Sequence, residues 1–140
     1  MIDINIDIKN FRYRSYVEKI IFKLDQIEKL NNRNFSVFIT GDRIIKLLNK
    51  KYRKKNKTTD VLSFAEKDIK NNFHFKDNYY LGEIIINIDQ ARRQSKNLKK
   101  EILFLLIHGY LHLKGYDHRN LKEESSMNDK ANEIMKKYDV

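Results

Sequence analysis

At 140 residues the chain has room for one domain with a single core, and its 41% hydrophobic content falls periodically, which excludes disorder over most of the length. The absence of cysteine excludes a disulfide framework and thiolate metal ligands, and no stretch approaches the roughly 18 consecutive apolar residues of a membrane span. A formal net charge of +10 favours a polyanionic partner, although a coding bias toward Lys, Asn and Ile accounts for part of that excess. The opening residues lack the basic start and continuous apolar run of a secretory signal, so a soluble, cytoplasmic protein is expected.

Ile2, Ile4, Ile6 and Ile8 alternate with Asp3, Asn5, Asp7 and Lys9, the period of a half-buried strand. Ser15 and Glu18 have capping-box spacing beside Val17, Ile20, Ile21, Leu24 and Ile27, which predicts a core-facing helix. Residues 31–34 punctuate a loop, and residues 35–40 alternate again as a second strand. Gly41-Asp42 opens a second helix with Ile44, Leu47, Leu48 and Tyr52 on one side. Its end carries Lys50, Lys51, Arg53, Lys54, Lys55 and Lys57, and cations there suit the negative end of a helix dipole.

Thr58-Thr59-Asp60 leads into a third strand at residues 61–65. The polar stretch 66–78, which holds His74, reads as an exposed loop near a sheet edge. Residues 81–86 contain an unbroken isoleucine run, expected for a strand covered on both faces. Residues 87–96 read as a short polar helix carrying Arg92 and Arg93. After a break near Asn97, residues 102–107 are apolar all round and mark a central buried helix. Asn120 and Glu123 cap a last helix whose Met127, Ala131, Ile134 and Tyr138 face inward. The expectation is a single α/β (α+β) domain over residues 1–140, a mixed four-stranded sheet packed with about five helices. Its order is strand-helix-strand-helix-strand-strand-helix-helix-helix, with both early helices acting as crossovers.

Three of the 4 histidines fall between 108 and 118. On a helix His108 and His112 share one face, one turn apart. Gly115 can take positive φ and end the helix, which lets His118 fold back toward the pair. His-x-x-x-His-x-x-Gly-x-x-His thus offers three imidazole nitrogens to a metal and leaves a fourth tetrahedral position open, as catalytic zinc sites do. A lone histidine on an apolar helix is usually a packed core or surface residue; three at this spacing point to a ligand set. The spacing matches metzincin zinc proteases, but Gly109 stands where those carry the glutamate that serves as general base. This argues against peptide hydrolysis by that mechanism and leaves the metal site intact. Nothing fixes His74 relative to the other three, and it is expected outside the site.

The block His-Gly-Tyr-Leu-His-Leu-Lys-Gly-Tyr-Asp-His at 108–118 is similar to the signature of the bacterial YbeY family of metal-dependent endoribonucleases. Leu48-Asn49 with Tyr52-Arg53, Thr59-Asp60-Val61-Leu62-Ser63-Phe64 and Leu81-Gly82-Glu83-Ile84 resemble that family's other blocks, in the right order and over nearly the whole chain. The resemblance implies a mixed sheet packed with helices and one Zn²⁺ per chain held by His108, His112 and His118. It implies cleavage of single-stranded RNA in rRNA processing, particularly at the 3′ end of 16S rRNA, and a part in ribosome quality control. Its partners would be rRNA and the small ribosomal subunit, with no membrane and no DNA. The family's functional arginine maps onto Arg53. Thr58 and Ala65 stand where prolines are common and Glu83 where Asp is common, which affects strand ends rather than the metal.

Phosphodiester cleavage builds charge on non-bridging oxygens, and a guanidinium is shaped for bidentate pairing with them. Arg53 is the candidate, against a plain solvated helix-end arginine. The base is unassigned. Asp117 suits either orienting a histidine or forming a turn beside Gly115; Ser63 and Phe64 are candidates to line a cleft, with the core the better place for Phe64. Two other readings stand: a zinc hydrolase of peptides or small esters, needing a carboxylate base that the sequence does not place, and a non-catalytic assembly factor in which zinc braces the fold and the basic surface binds rRNA.

Overall fold

The computed structural model describes residues 3–66 and 80–138. Along these run β1 (Asp3–Ile6), α1 (Arg14–Glu28), β2 (Asn34–Thr40), α2 (Asp42–Arg53), β3 (Val61–Ala65), β4 (Tyr80–Asn87), α3 (Ile88–Gln94), α4 (Leu98–Leu113) and α5 (Leu121–Lys136). This is the expected order and an α+β architecture. Most of the expected 66–78 loop, including His74, and the start of the first expected strand at Ile2 lie outside the described residues.

The sheet order is β1-β2-β4-β3. β1 and β4 pair parallel to β2, and β3 runs antiparallel on the outer side of β4. α1 is the crossover that returns the chain from β1 to its parallel neighbour. α2 passes over the place of β4 and delivers β3 to the far edge. β4 therefore lies inside the sheet and is covered twice. Ile84 and Ile86 are buried with Val37, Ile39 and the apolar residues of α4, while Ile85 packs on the opposite face with Ile45 and Leu62. The unbroken isoleucine run has its physical reason there.

α4 buries nine residues around its circumference and packs on β3, β4, α1, α3 and α5. It approaches the sheet closely at Gly109, where a Cβ would stand 2.6 Å from Ile84 Cγ2. The residue after His108 thus faces the sheet, and a glutamate at that position would be driven into the core. A second close approach is at Gly82, with φ +138°. A Cβ on Gly82 would run into the Phe64 carbonyl oxygen and lie 2.9 Å from Leu113 Cδ2. Behind α4, the buried Tyr110 donates to Glu28 Oε1 at 3.0 Å, and Lys130 Nζ lies 3.3 Å from Glu28 Oε2. One carboxylate so ties α1, α4 and α5 together while satisfying a phenol that would otherwise be orphaned.

Two local expectations are corrected. α1 starts at Arg14 behind Tyr13, with no side-chain cap. Ser15 is already inside the helix, and Glu18 pairs with Arg14 at 3.2 Å instead of reaching back to a cap. On α2 the buried positions are Ile45 and Asn49, whereas Leu47 and Tyr52 are 54% and 57% exposed. α2 meets the sheet along a narrow line, so a one-residue error in phase exposes the wrong pair. No helix among the described residues is long and apolar enough to cross a membrane.

Gly82→Ala combines a strained φ with a backbone collision, and is expected to destabilise the protein by roughly 3 kcal/mol or more. Urea unfolding of the variant measures this; a loss below about 1 kcal/mol would mean that β3 shifts freely away from β4.

Candidate metal centre

α4 begins at Asn97, whose Oδ1 accepts from Lys100 N at 3.1 Å, and ends in a tight reversal. Gly115 has φ +104°, its N–H donates to the His112 carbonyl at 3.0 Å, and the N–H of Tyr116 donates to the Leu111 carbonyl at 3.0 Å. The left-handed residue turns the chain back alongside the last turn of the helix. This is what returns residues 117 and 118 to the face that carries His112.

Among the described residues, ligand atoms of His112, Asp117 and His118 all lie within 4.8 Å of one another. The two imidazoles meet edge to face, with centroids 5.3 Å apart. Burial pushes the His112 pKa down, and the neighbouring His118 pushes it further the same way. The neutral ring, with a lone pair available, is thereby favoured. The Asp117 carboxyl is held below its usual value by the bond it accepts from the His118 N–H, with Arg119 adding to the effect.

His108 sits one turn earlier and is not part of that group. Its Nδ1 donates to the Phe104 carbonyl at 2.9 Å and its ring packs on Phe104, with centroids 4.0 Å apart. A carbonyl can only accept, so Nδ1 carries a proton; in the neutral ring Nε2 then keeps its lone pair. This is the tautomer that metal-binding histidines use, fixed in the way they commonly fix it. Of the three expected ligands the structure brings two together, adds Asp117, and leaves the third on the same helix with a free Nε2. Two imidazoles and a carboxylate, with a further imidazole nearby and no thiolate, are a donor set suited to zinc.

The group opens into a cleft of about 720 Å³ whose lining also includes Arg53, Asp60, Ser63, Tyr116 and Arg119. Arg53 is held on its wall. One terminal nitrogen donates to the Ser63 carbonyl, and the guanidinium lies 5.2 Å from the centroid of the Phe64 ring. Phe64 is part of the small core beneath α2 and a platform for Arg53 at once.

Two buried asparagines build that wall, and sequence reasoning assigned a role to neither. Asn49 Nδ2 donates to the Lys57 carbonyl at 2.9 Å and pins the loop after α2. Asn87 Nδ2 is shared among Asp42 Oδ1 at 2.8 Å, Thr58 Oγ1 at 2.9 Å and the Thr59 carbonyl at 3.1 Å. Thr58 donates to Asp42 Oδ1 at 3.2 Å, and Arg93 grips both oxygens of Asp42 at 2.6 and 2.8 Å. The start of α2, the end of β4, the loop before β3 and α3 thus meet on one carboxylate. A buried asparagine has no periodic signature, and the only available signal was its place inside the Leu48-Asn49 block.

The family model for Endoribonuclease YbeY matches residues 2–139. An Endoribonuclease YbeY from Phytoplasma australiense is 40% identical over 138 residues, covering 94% of this chain and 91% of that protein. One from Aquifex aeolicus is 41% identical over 113 residues, covering 77% and 72% respectively. The solution structure of a Thermotoga maritima protein is similar with a TM-score of 0.59 at 28% identity, covering 99% of this chain and 91% of the other.

Arg93 first, and Asn87 second, hold the Asp42 carboxyl well below the usual carboxylate range. A depressed pKa stabilises the fold fully above the unfolded value of about 3.9, and the contribution is lost as pH falls through the folded value. Asp42→Asn is therefore expected to lower Tm at neutral pH, with the gap from wild type closing as the pH is taken below about 4. A gap of constant size across thermal scans at different pH would trace the effect to packing instead.

Proposed function

The chain belongs to the YbeY family of endoribonucleases, and we propose that it is a zinc-dependent endoribonuclease specific for single strands, acting in the cytoplasm on ribosomal RNA. Its target in this reading is the 3′ end of 16S rRNA within the small ribosomal subunit, with a further part in ribosome quality control. The observation that supports this best is the convergence of His112, Asp117 and His118 in a cleft that Arg53 also lines. A net charge of +10 suits the polyanion.

His112 and His118 would hold the ion together with His108, whose Nε2 is left free by its bond to Phe104, and Asp117 supplies a negative charge beside them. A zinc ion there would supply Lewis-acid stabilisation of charge developing on a phosphoryl oxygen. Arg53 acts on the same charge from the cleft wall. A guanidinium has five N–H donors, and the bond to Ser63 with the contact to Phe64 fixes its plane. The remaining donors are oriented before substrate arrives, which is how such groups favour a transition state over a ground state. Lysine has neither the fork nor the stacking face and would not replace it. The alternative of peptide hydrolysis lacks its base, because the helix position that would carry one is packed on Ile84.

Cleavage of a single-stranded RNA substrate, together with the metal content of the purified protein, tests the assignment. His112→Ala and His118→Ala are expected to lose both metal and activity. Arg53→Ala keeps its metal while kcat falls by about 10²–10³-fold. A His108→Ala protein with unchanged metal and rate would assign the third ligand to Asp117, and a fully active, metal-loaded His112→Ala would remove the catalytic-metal reading.

A further inference from the structure

We propose that Tyr52 is a stacking platform for an unpaired nucleobase, adjoining the phosphate that Arg53 engages; the proposal rests on the endoribonuclease reading of the cleft and adds to it a base subsite. Tyr52 lies on the last turn of α2 and is 57% exposed although large aromatic residues ordinarily find cover. It is also positioned. The ring meets Phe64 edge to face at 5.4 Å between centroids, and Phe64 is itself packed with Ile45, Leu62 and Ile85. Arg53 rests on that same Phe64 ring at 5.2 Å. Tyr52 and Arg53, consecutive in sequence, are thus set by one aromatic ring. Arg53 reaches the cleft of His112 and His118, and Tyr52 directly precedes it on α2, just outside the residues that line the cleft.

The surroundings select the ligand. Lys51 Nζ lies 5.2 Å from the Tyr52 centroid, and Lys50, Lys54 and Lys55 are exposed on the same helix end. Lysines are depleted at the cores of protein interfaces, so a dense lysine collar around an exposed ring fits a partner that is both anionic and flat. Single-stranded RNA is such a partner, since its phosphates meet the lysines and its unstacked bases meet the ring. A base inside a duplex has both faces occupied by its neighbours and cannot lie on Tyr52. The subsite therefore gives the protein a physical means of preferring single strands, set by the ring rather than by the metal.

The protein has no tryptophan, so Tyr52→Trp introduces a single indole at the site, excited selectively over the tyrosines. Its emission is expected to be quenched by a short single-stranded oligoribonucleotide, and left unchanged by the same sequence in a duplex. In steady-state cleavage, Tyr52→Ala and Tyr52→Leu are expected to raise KM about tenfold with kcat nearly unchanged, while Tyr52→Phe and Tyr52→Trp stay near wild type. Tyr52→Leu keeps an apolar side chain but lacks the π face, and Tyr52→Phe controls for the lost hydroxyl, so together they separate stacking from burial and hydrogen bonding. An unquenched indole at saturating RNA overturns the proposal. So does a wild-type KM for Tyr52→Ala, including the case in which that variant is instead defective in binding a protein of the small ribosomal subunit. A wild-type protein that cuts no RNA while the Tyr52→Trp indole is still quenched would sink the nuclease reading and leave the base subsite standing.

Discussion

The site depends on how closely α4 lies on the sheet. With Gly109 set against Ile84, the helix backbone comes nearer to β4 than any side chain at that position would allow. Interiors pack to the density of organic crystals, so a separation fixed at one contact is transmitted along the whole element. His112 lies three residues beyond that contact, and the reversal at Gly115 lies three further on. The same face of the helix that meets Ile84 determines, by its helical period, which face is left for the imidazoles. Gly82 serves the same end from below, since it brings β3 up beneath Leu113 and places Ser63 on the cleft.

The segment between α2 and β3 on the opposite wall is held by charge, beside the small apolar core that carries Phe64. Asp42 receives Arg93, Asn87 and Thr58 on two oxygens, and the short segment between α2 and β3 is gathered around it. Such a device has a cost in desolvation, which the number of donors offsets. The Thr58 hydroxyl both donates to Asp42 and accepts from Asn87, so specific bonds restrain the loop between α2 and β3.

The elements were legible because their signals are local. Alternation in β1, the apolar circumference of α4 and the asparagine cap of α5 each follow from side chains within a few residues. The histidine spacing was legible for the same reason, since helical period and a glycine stop fix it. What escaped was everything decided by contacts distant in sequence. The partners of Asn87 lie up to 45 residues away, and nothing near Asn87 announces them. The turning of His108 onto Phe104 is a rotamer choice that sequence spacing leaves open. On α2, Ile44, Leu47, Leu48 and Tyr52 are apolar at helical spacing, yet Leu47 and Tyr52 are exposed, because contacts with distant β-strands decide which side of the helix is covered.

The glycine at 109 also bears on the chemistry. In a helix presenting histidines four apart, the residue after the first is rotated by about 100° from it, which here aims it at the sheet. A carboxylate base could occupy that position only if the helix stood farther off, and the contact with Ile84 prevents that. Packing and chemistry are therefore coupled, and a protein with this helix-to-sheet distance has to find its proton acceptor on another element or on the substrate. Of the carboxylates lining the cleft, Asp117 is stabilised as the anion by the His118 N–H and by Arg119 at 3.1 Å, which makes it a weak proton acceptor. Asp60 accepts from Gln94 Nε2 at 3.0 Å on one oxygen. The same core contact that positions the imidazoles thus removes the peptidase solution that places its base next to the first histidine, and leaves a site rich in groups that stabilise negative charge.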